Sequence, residues 1–303
     1  MRIKKRTLKI IGLLFVLAIV SLIVFVYLNK SPYRFEKDFF SYSTHRPKPL
    51  YEMLLKSHNA TFDIYSIKYR SRPFLDQETT IYALLLLPKE GTSIPGLVLL
   101  PGGGITKEGE LNHAAVIANL GYAVLVIDQR GLGQTLGTYL NPQQDYAYFT
   151  QGKEPIQHLS VYDALAAYDV LRSIKNIDKA NIALAGLSMG GRYAIIAAAL
   201  DKRIKGVIGI ATSGFHVKED MSVAFNSYAL SIDPDHYVDR ISPNYLFMFH
   251  GTNDKNIPIE SARSTFDLAK EPKRFFVAQG CDHGYCDKMY GNLTSSLKEM
   301  FGR

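Results

Sequence analysis

Two cysteines in 303 residues are too few for a disulfide scaffold, and 23 glycines and 13 prolines are too few for a collagen-like or low-complexity chain. No internal repeat occurs, and no Gly/Ser-rich linker divides the body of the chain, so a single folded domain is the simplest account. An excess of one charge is also missing from most of the sequence. The formal net charge is +7, but residues 1–37 hold eight bases and one acid, and the remainder carries 27 of each sign. Basicity therefore gives no indication of a nucleic-acid partner. His113, His158, His216 and His236 are scattered, with no H-E-x-x-H or H-x-x-E-H spacing, so neither a metal nor another cofactor is indicated. What is present, 47% hydrophobic and 21% charged residues, is the composition of a chain that buries a sizeable core.

The N-terminal bases flank residues 10–28, nineteen residues without a charge. As a helix this run would extend roughly 28 Å, close to the hydrocarbon thickness of a bilayer and longer than a signal-peptide core. No A-x-A-like cleavage site follows it. The sequence thus predicts an uncleaved transmembrane signal anchor within residues 1–30, a stalk over 31–55 and a folded domain over 56–303. Five bases precede the run and three follow it, which predicts a cytoplasmic N-terminus and an extracytoplasmic domain, whether periplasmic, extracellular or lumenal.

Within the domain, Phe62–Tyr69 and Thr79–Leu87 read as an antiparallel hairpin. Six short apolar runs follow: Leu97–Leu100, Ala123–Ile127, Ile182–Ala185, Gly206–Ile210, Tyr245–Phe249 and Arg274–Ala278. They alternate with segments of helical period at Leu111–Leu120, Ile156–Ile174, Arg192–Leu200, Ile259–Ala269 and Tyr285–Phe301. That alternation predicts an α/β fold, a mostly parallel sheet with helices on both faces. Residues 214–240 break the alternation and are predicted to form a partial cap, with Phe215, Phe225 and Tyr228 offering an apolar acyl pocket.

Gly186-Leu187-Ser188-Met189-Gly190 stands between an apolar strand and an apolar helix, the setting in which G-x-S-x-G forms a turn that exposes a nucleophilic serine. A serine hydroxyl needs a base, and the base needs an orienting carboxylate. Asp254 and His283 both lie just beyond the C-terminal ends of predicted strands, the edge on which parallel sheets build their sites. Asp282 adjoins His283, but a neighbour on the same short loop is poorly placed to reach the imidazole edge opposite the serine. His250 reads as a structural hydrogen-bonder, and Asp128 and Arg130 as an internal ion pair or turn-former.

With Gly186-Leu-Ser188-Met-Gly190-Gly191, His250-Gly-Thr-Asn-Asp254 and Asp282-His283-Gly284, residues 60–300 resemble the α/β-hydrolase superfamily, including its order of Ser188, Asp254 and His283. Leu99-Leu-Pro101-Gly-Gly-Gly104 and Asp128-Gln-Arg130-Gly131-Leu-Gly133 more loosely resemble the dienelactone hydrolase and acetyl-xylan esterase group. The resemblance implies a serine hydrolase acting on a small-molecule ester or acyl substrate. It also implies an oxyanion hole from the N–H groups of Met189 and Gly103, with Gly104 as the second choice for the latter. A peptidase of the prolyl oligopeptidase type shares this order of residues, although little chain precedes Phe62 to form a gating propeller. A hydrolase fold kept only as a binding module is the alternative from another class; such proteins typically lose the serine or histidine.

Cys281 and Cys286 bracket His283. In an oxidising compartment an even, closely spaced pair tends to join, provided the Cα atoms lie ~4.4–6.8 Å apart. Free thiols are the other outcome, should Cys286 already belong to the last helix and face away.

Overall fold

The computed structural model describes residues 33–75, 77–137, 141–218 and 222–302, together with Leu14, Val16, Ile19 and Val20. The expected membrane span at 10–28 lies, apart from those four residues, outside this set. Among the described residues no helix is long and apolar enough to cross a membrane.

Nine strands form one mixed sheet. In chain order they are β3 (Tyr51–His58), β4 (Phe62–Phe74), β5 (Gln77–Pro88), β6 (Ile94–Leu100), β7 (Ala123–Ile127), β8 (Ile177–Leu187), β9 (Gly206–Ile210), β10 (Tyr245–Gly251) and β11 (Lys273–Ala278). Across the sheet the order is β11-β10-β9-β8-β6-β7-β5-β4-β3. The contacts from β7 through β11 are parallel, and the β3, β4 and β5 edge is antiparallel. The chain steps from β6 to β7 on one side and returns to β8 on the other, which opens a crevice between the loops that leave β6 and β8.

The central strands are apolar on both sides because helices cover both faces. Leu97 and Leu99 of β6 pack with α1 (Leu111–Asn119) and α7 (Tyr290–Phe301). Val98 and Leu100, pointing the opposite way, pack with α3 (Ile156–Ser173) and α4 (Met189–Leu200). The remaining α-helices among the described residues 33–302 are α2 (Pro142–Thr150), α5 (Val223–Ser231) and α6 (Ile259–Leu268).

The stalk expectation requires correction. Tyr33–Glu36 and Phe39–Tyr42 pair as an antiparallel hairpin, β1 and β2, and residues 51–58 supply the sheet's edge strand β3. Phe40 and Tyr42 are buried in the core, and Phe40 stacks on His158 with ring centroids 3.9 Å apart. Tyr42 Oη lies 2.5 Å from Glu154 Oε1 and 2.9 Å from the His158 carbonyl, sharing its one proton between them. Arg46 pairs with Asp169 and Asp201 at 2.5 and 2.6 Å. Aromatic residues this dense gain more by joining the core than by spanning solvent as a tether.

Asp128 and Arg130 do not pair with each other, and of the two expected roles Asp128 takes the turn-forming one, its Oδ2 accepting the Gln134 N–H at 3.0 Å. Asp128 holds Lys107, its Oδ2 2.6 Å from Nζ and its Oδ1 accepting the Lys107 N–H at 2.8 Å. Arg130 forks onto Asp163 at 2.6 and 2.8 Å, with side chains 1% and 2% exposed. Two residues apart on an extended segment, Asp128 and Arg130 each find a partner on a different element. Arg130→Met would strand the buried Asp163 carboxylate and is expected to cost about 3–5 kcal/mol in urea unfolding followed by far-UV circular dichroism. Arg70→Met, which removes an ion pair whose two side chains are 77% and 76% exposed, should leave the midpoint almost unmoved.

Candidate active site

Ser188 joins β8 to α4 with φ 50° and ψ −116°, a conformation that costs a non-glycine residue on the order of 1–3 kcal/mol and is held only by its surroundings. The turn closes because its neighbours lack side chains. A Cβ on Gly186 would lie 2.4 Å from the Gly190 carbonyl carbon, and one on Gly190 would lie 2.1 Å from the Leu100 carbonyl oxygen. The Ser188 N–H donates to Ile210 at 2.9 Å, and Thr212 Oγ1 donates to the Ser188 carbonyl at 2.7 Å. Met189 begins α4, so its N–H has no partner one helical turn earlier.

The loop after β6 lies against this turn. A Cβ built on Gly102 would sit 3.7 Å from the Ser188 Cβ, and one on Gly103 would sit 3.8 Å from the Met189 methyl. Gln129, just beyond β7, braces the loop by donating from Nε2 to the Pro101 carbonyl at 2.6 Å.

Asp254 follows β10 and His283 follows β11. The Asp254 side chain is fully buried, and its Oδ2 lies 2.8 Å from His283 Nδ1. Oδ1 accepts the N–H groups of Asn256 and Ile257, both at 2.9 Å, which fixes the carboxylate plane. The two loops are tied together by Asn253 N–H to Cys281 O at 2.9 Å and Gly280 N–H to Thr252 Oγ1 at 2.8 Å. Asp282 is exposed beside them. His250 Nε2 donates to the Ile257 carbonyl at 2.8 Å and lies 3.2 Å from Asp254 Oδ2, so it supports the Asp254 loop from behind.

Cys281 and Cys286 form a disulfide with Cα atoms 6.3 Å apart, around the loop that carries His283. The last helix starts at Tyr290 rather than Tyr285, after a short 3-10 turn at Asp287–Met289, and this leaves Cys286 free of helical geometry. Mass measurement under denaturing conditions is expected to show a gain of two hydrogens on reduction. The double variant C281S/C286S should lose about 2 kcal/mol of stability, the closure term of so short a loop. It should also turn over substrate more slowly, because the His283 loop is no longer closed.

One cleft of about 620 Å3 collects these groups, lined by Gly102, Gly103, Ser188, Met189 and His283 among others. Its walls hold residues to which sequence reasoning gave no place in the site: Glu110, Arg192, Asn256 and Tyr285, together with His113, which was weighed only as a metal ligand. Glu110 and His113, an i, i+3 pair at the start of α1, are joined at 2.6 Å, and His113 packs on Tyr285 at 5.2 Å between ring centroids. Burial raises the Tyr285 pKa. The spacing of Arg192, four residues after Ser188 on one helix, is the signal that could have found it.

The acyl pocket expected of 214–240 is not formed by the residues named for it. Tyr228 is buried away from the cleft against Tyr146 and Phe149, donating to Asp145 at 3.0 Å, and Phe225 packs on Tyr146. Phe215 is exposed and meets the cleft only through Arg192. The helix α5 has no one-sided apolar face, and its aromatic residues pack on the surface that α2 supplies. Of the histidines, His158 is buried and neutral, its pKa pushed down to about 3 by burial, between Tyr33 and Ser231. Among the described residues, no group of three or more His, Cys, Asp or Glu side chains is arranged to hold a metal ion.

Residues 36–229 match the acetyl xylan esterase (AXE1) family. The chain belongs to that family. Its sheet and helices superpose on an acetyl xylan esterase from a Paenibacillus species with a TM-score of 0.69 at 20% identity, covering 84% of this chain and 89% of that one. An acetyl xylan esterase from Thermoanaerobacterium gives a TM-score of 0.68 at 17% identity over 84% and 88% of the two chains. These likenesses show the α/β-hydrolase fold. In sequence, hydrolase pyiE of Pyricularia grisea is 36% identical over 135 residues, 42% of this chain and 27% of that protein. The chain spans about a quarter to a half of the length of the first curated relatives it matches.

Proposed function

We propose that this acetyl xylan esterase family member is a serine carboxylic-ester hydrolase. Ser188 Oγ attacks the ester carbonyl while His283 Nε2 takes its proton, and Asp254, accepting from Nδ1, holds the ring and stabilises the imidazolium. The N–H groups of Met189 and Gly103 receive the developing oxyanion. His283 then passes its proton to the departing alcohol, leaving an acyl-enzyme. Water attacks that acyl group, giving one proton to His283 and releasing the acid; His283 returns the proton to Ser188. The observation that carries this reading is the meeting of a strained serine turn, an Asp254-bound histidine and a glycine loop in one cleft. The family name and the names of its structural neighbours favour a short acyl group, and residues 10–28 support a membrane tether for the domain.

Labelling of the folded protein by a fluorophosphonate probe, mapped by mass spectrometry, tests the reaction. Modification of Ser188 is expected. Folded protein without the label would be a binding module instead, and cleavage of prolyl amides faster than aryl acetates would make it a peptidase. Retention of the full-length protein in carbonate-washed membranes tests the tether.

A further inference from the structure

Arg192 stands in the cleft wall with a charge that no carboxylate of the described residues neutralises. It stands four residues after Ser188, in the first turn of α4, and lines the same cleft as the serine. Nε donates to the Ser213 carbonyl at 2.9 Å, and the guanidinium carbon lies 4.1 Å from the centroid of the Phe215 ring. Both contacts fix the plane of the group, and neither cancels its charge. Nη1 and Nη2 make no hydrogen bond among the described residues.

Other shielded arginines of this fold are treated differently: Arg46, Arg72 and Arg130 each hold a carboxylate. The acids that act on Arg192, Asp233 and Asp235, do so at a distance, and neither forms an ion pair with it within 4.0 Å among the described residues. Asp233 accepts the N–H groups of Phe215, Val217 and Asp235, and Asp235 holds His216 at 2.5 Å. Glu110, the carboxylate of the cleft lining, is 3% exposed and occupied by His113. Desolvation lowers the Arg192 pKa, so the site keeps a cation poorly hydrated and unpaired, a cost that a bound anion would offset. A planar fork with two open terminal nitrogens suits a carboxylate better than a hydroxyl.

We infer that Arg192 is a specificity residue that binds, within the cleft it shares with Ser188, a carboxylate carried by the ester substrate. The substrate class is then a half-ester of a short dicarboxylic acid or an ester of a carboxylated alcohol. This rests on the reading of Ser188 as the nucleophile.

Two matched pairs test it: p-nitrophenyl hemisuccinate against p-nitrophenyl butyrate for the acyl side, and 4-carboxyphenyl butyrate against phenyl butyrate for the alcohol side. The readout is the charged-to-neutral ratio of kcat/KM, compared between the native protein and variants so that intrinsic ester reactivity cancels. In one pair R192Q is expected to lower that ratio roughly ten- to hundredfold, the range for a lost charge-assisted hydrogen bond, with R192K falling between. An unchanged ratio in both pairs overturns the inference, since a merely structural arginine would slow both esters alike. A preference for the charged ester that emerges only in E219Q/D220N also overturns it, because Arg192 would then belong to an acid of this chain. Failure of the nucleophile reading looks different: no ester is turned over in a Ser188-dependent way. Calorimetric titration of S188A with glutarate then still decides the matter. Binding lost in S188A/R192Q supports the inference, and no binding to S188A overturns it.

Discussion

Folded Ser188→Ala protein is expected to hydrolyse p-nitrophenyl acetate about 10^5-fold more slowly than the native chain, or worse, when initial rates are compared at saturating ester. The size of the loss follows from what remains. On the proposed mechanism the glycine loop and the Met189 N–H would still face a developing oxyanion, but the covalent route through an acyl-enzyme would be gone, and water would have to attack unaided. The fold should survive, because the Ser188 contacts described above run through its backbone N–H and carbonyl rather than its hydroxyl. Alanine also relieves nothing at φ 50°, so an unchanged thermal midpoint alongside lost activity is the expected pattern. Near-native turnover by this variant would remove Ser188 from the reaction and the rest of the triad with it.

Asp254→Asn is expected to lower kcat by roughly 10^3–10^4-fold, less than His283→Ala. An amide at this position could present its NH2 to His283 Nδ1, favouring the tautomer that places a proton on Nε2, where the serine proton must go. Two backbone N–H groups, from Asn256 and Ile257, already fix Oδ1 as an acceptor, so the amide nitrogen is forced toward the histidine. Asp282→Asn, at an exposed neighbour, should change kcat by no more than about threefold, the scale of a surface-charge effect. Steady-state kinetics of the three proteins on one aryl ester check the order. A large loss in Asp282→Asn with little in Asp254→Asn would transfer the orienting role to the wrong side of the imidazole and refute the assignment.

Much of this site was legible before any fold was known, for reasons that are local. The serine turn needs glycines two positions to either side, and backbone crowding at Gly186 and Gly190 makes that need visible as a spacing. The parallel strands read as short apolar runs because helices bury both of their faces, and the residues that follow each run fall on one edge of the sheet. Ser188, Asp254 and His283 could therefore be placed on that edge together, and Met189 and the glycine loop beside them.

What the sequence could not determine is which distant groups meet. Asp128 and Arg130 are two residues apart, yet Lys107 and Asp163 claim them, because buried charges pair with whatever opposite charge the packing of strands and helices brings within reach. Residues 31–55 lack the alternation of the main sheet and read as a stalk; only the flank of β4 and the pocket beside His158 made strands and core of residues 33–42 and 51–55. Tyr228 looked like a cleft residue by its place in the chain and was drawn into α2's surface instead. The open charge of Arg192 belongs to the same class. A sequence shows an arginine four residues after a serine, whereas the absence of a carboxylate partner among the described residues is a property of every element folded around it, and only the tertiary structure decides that.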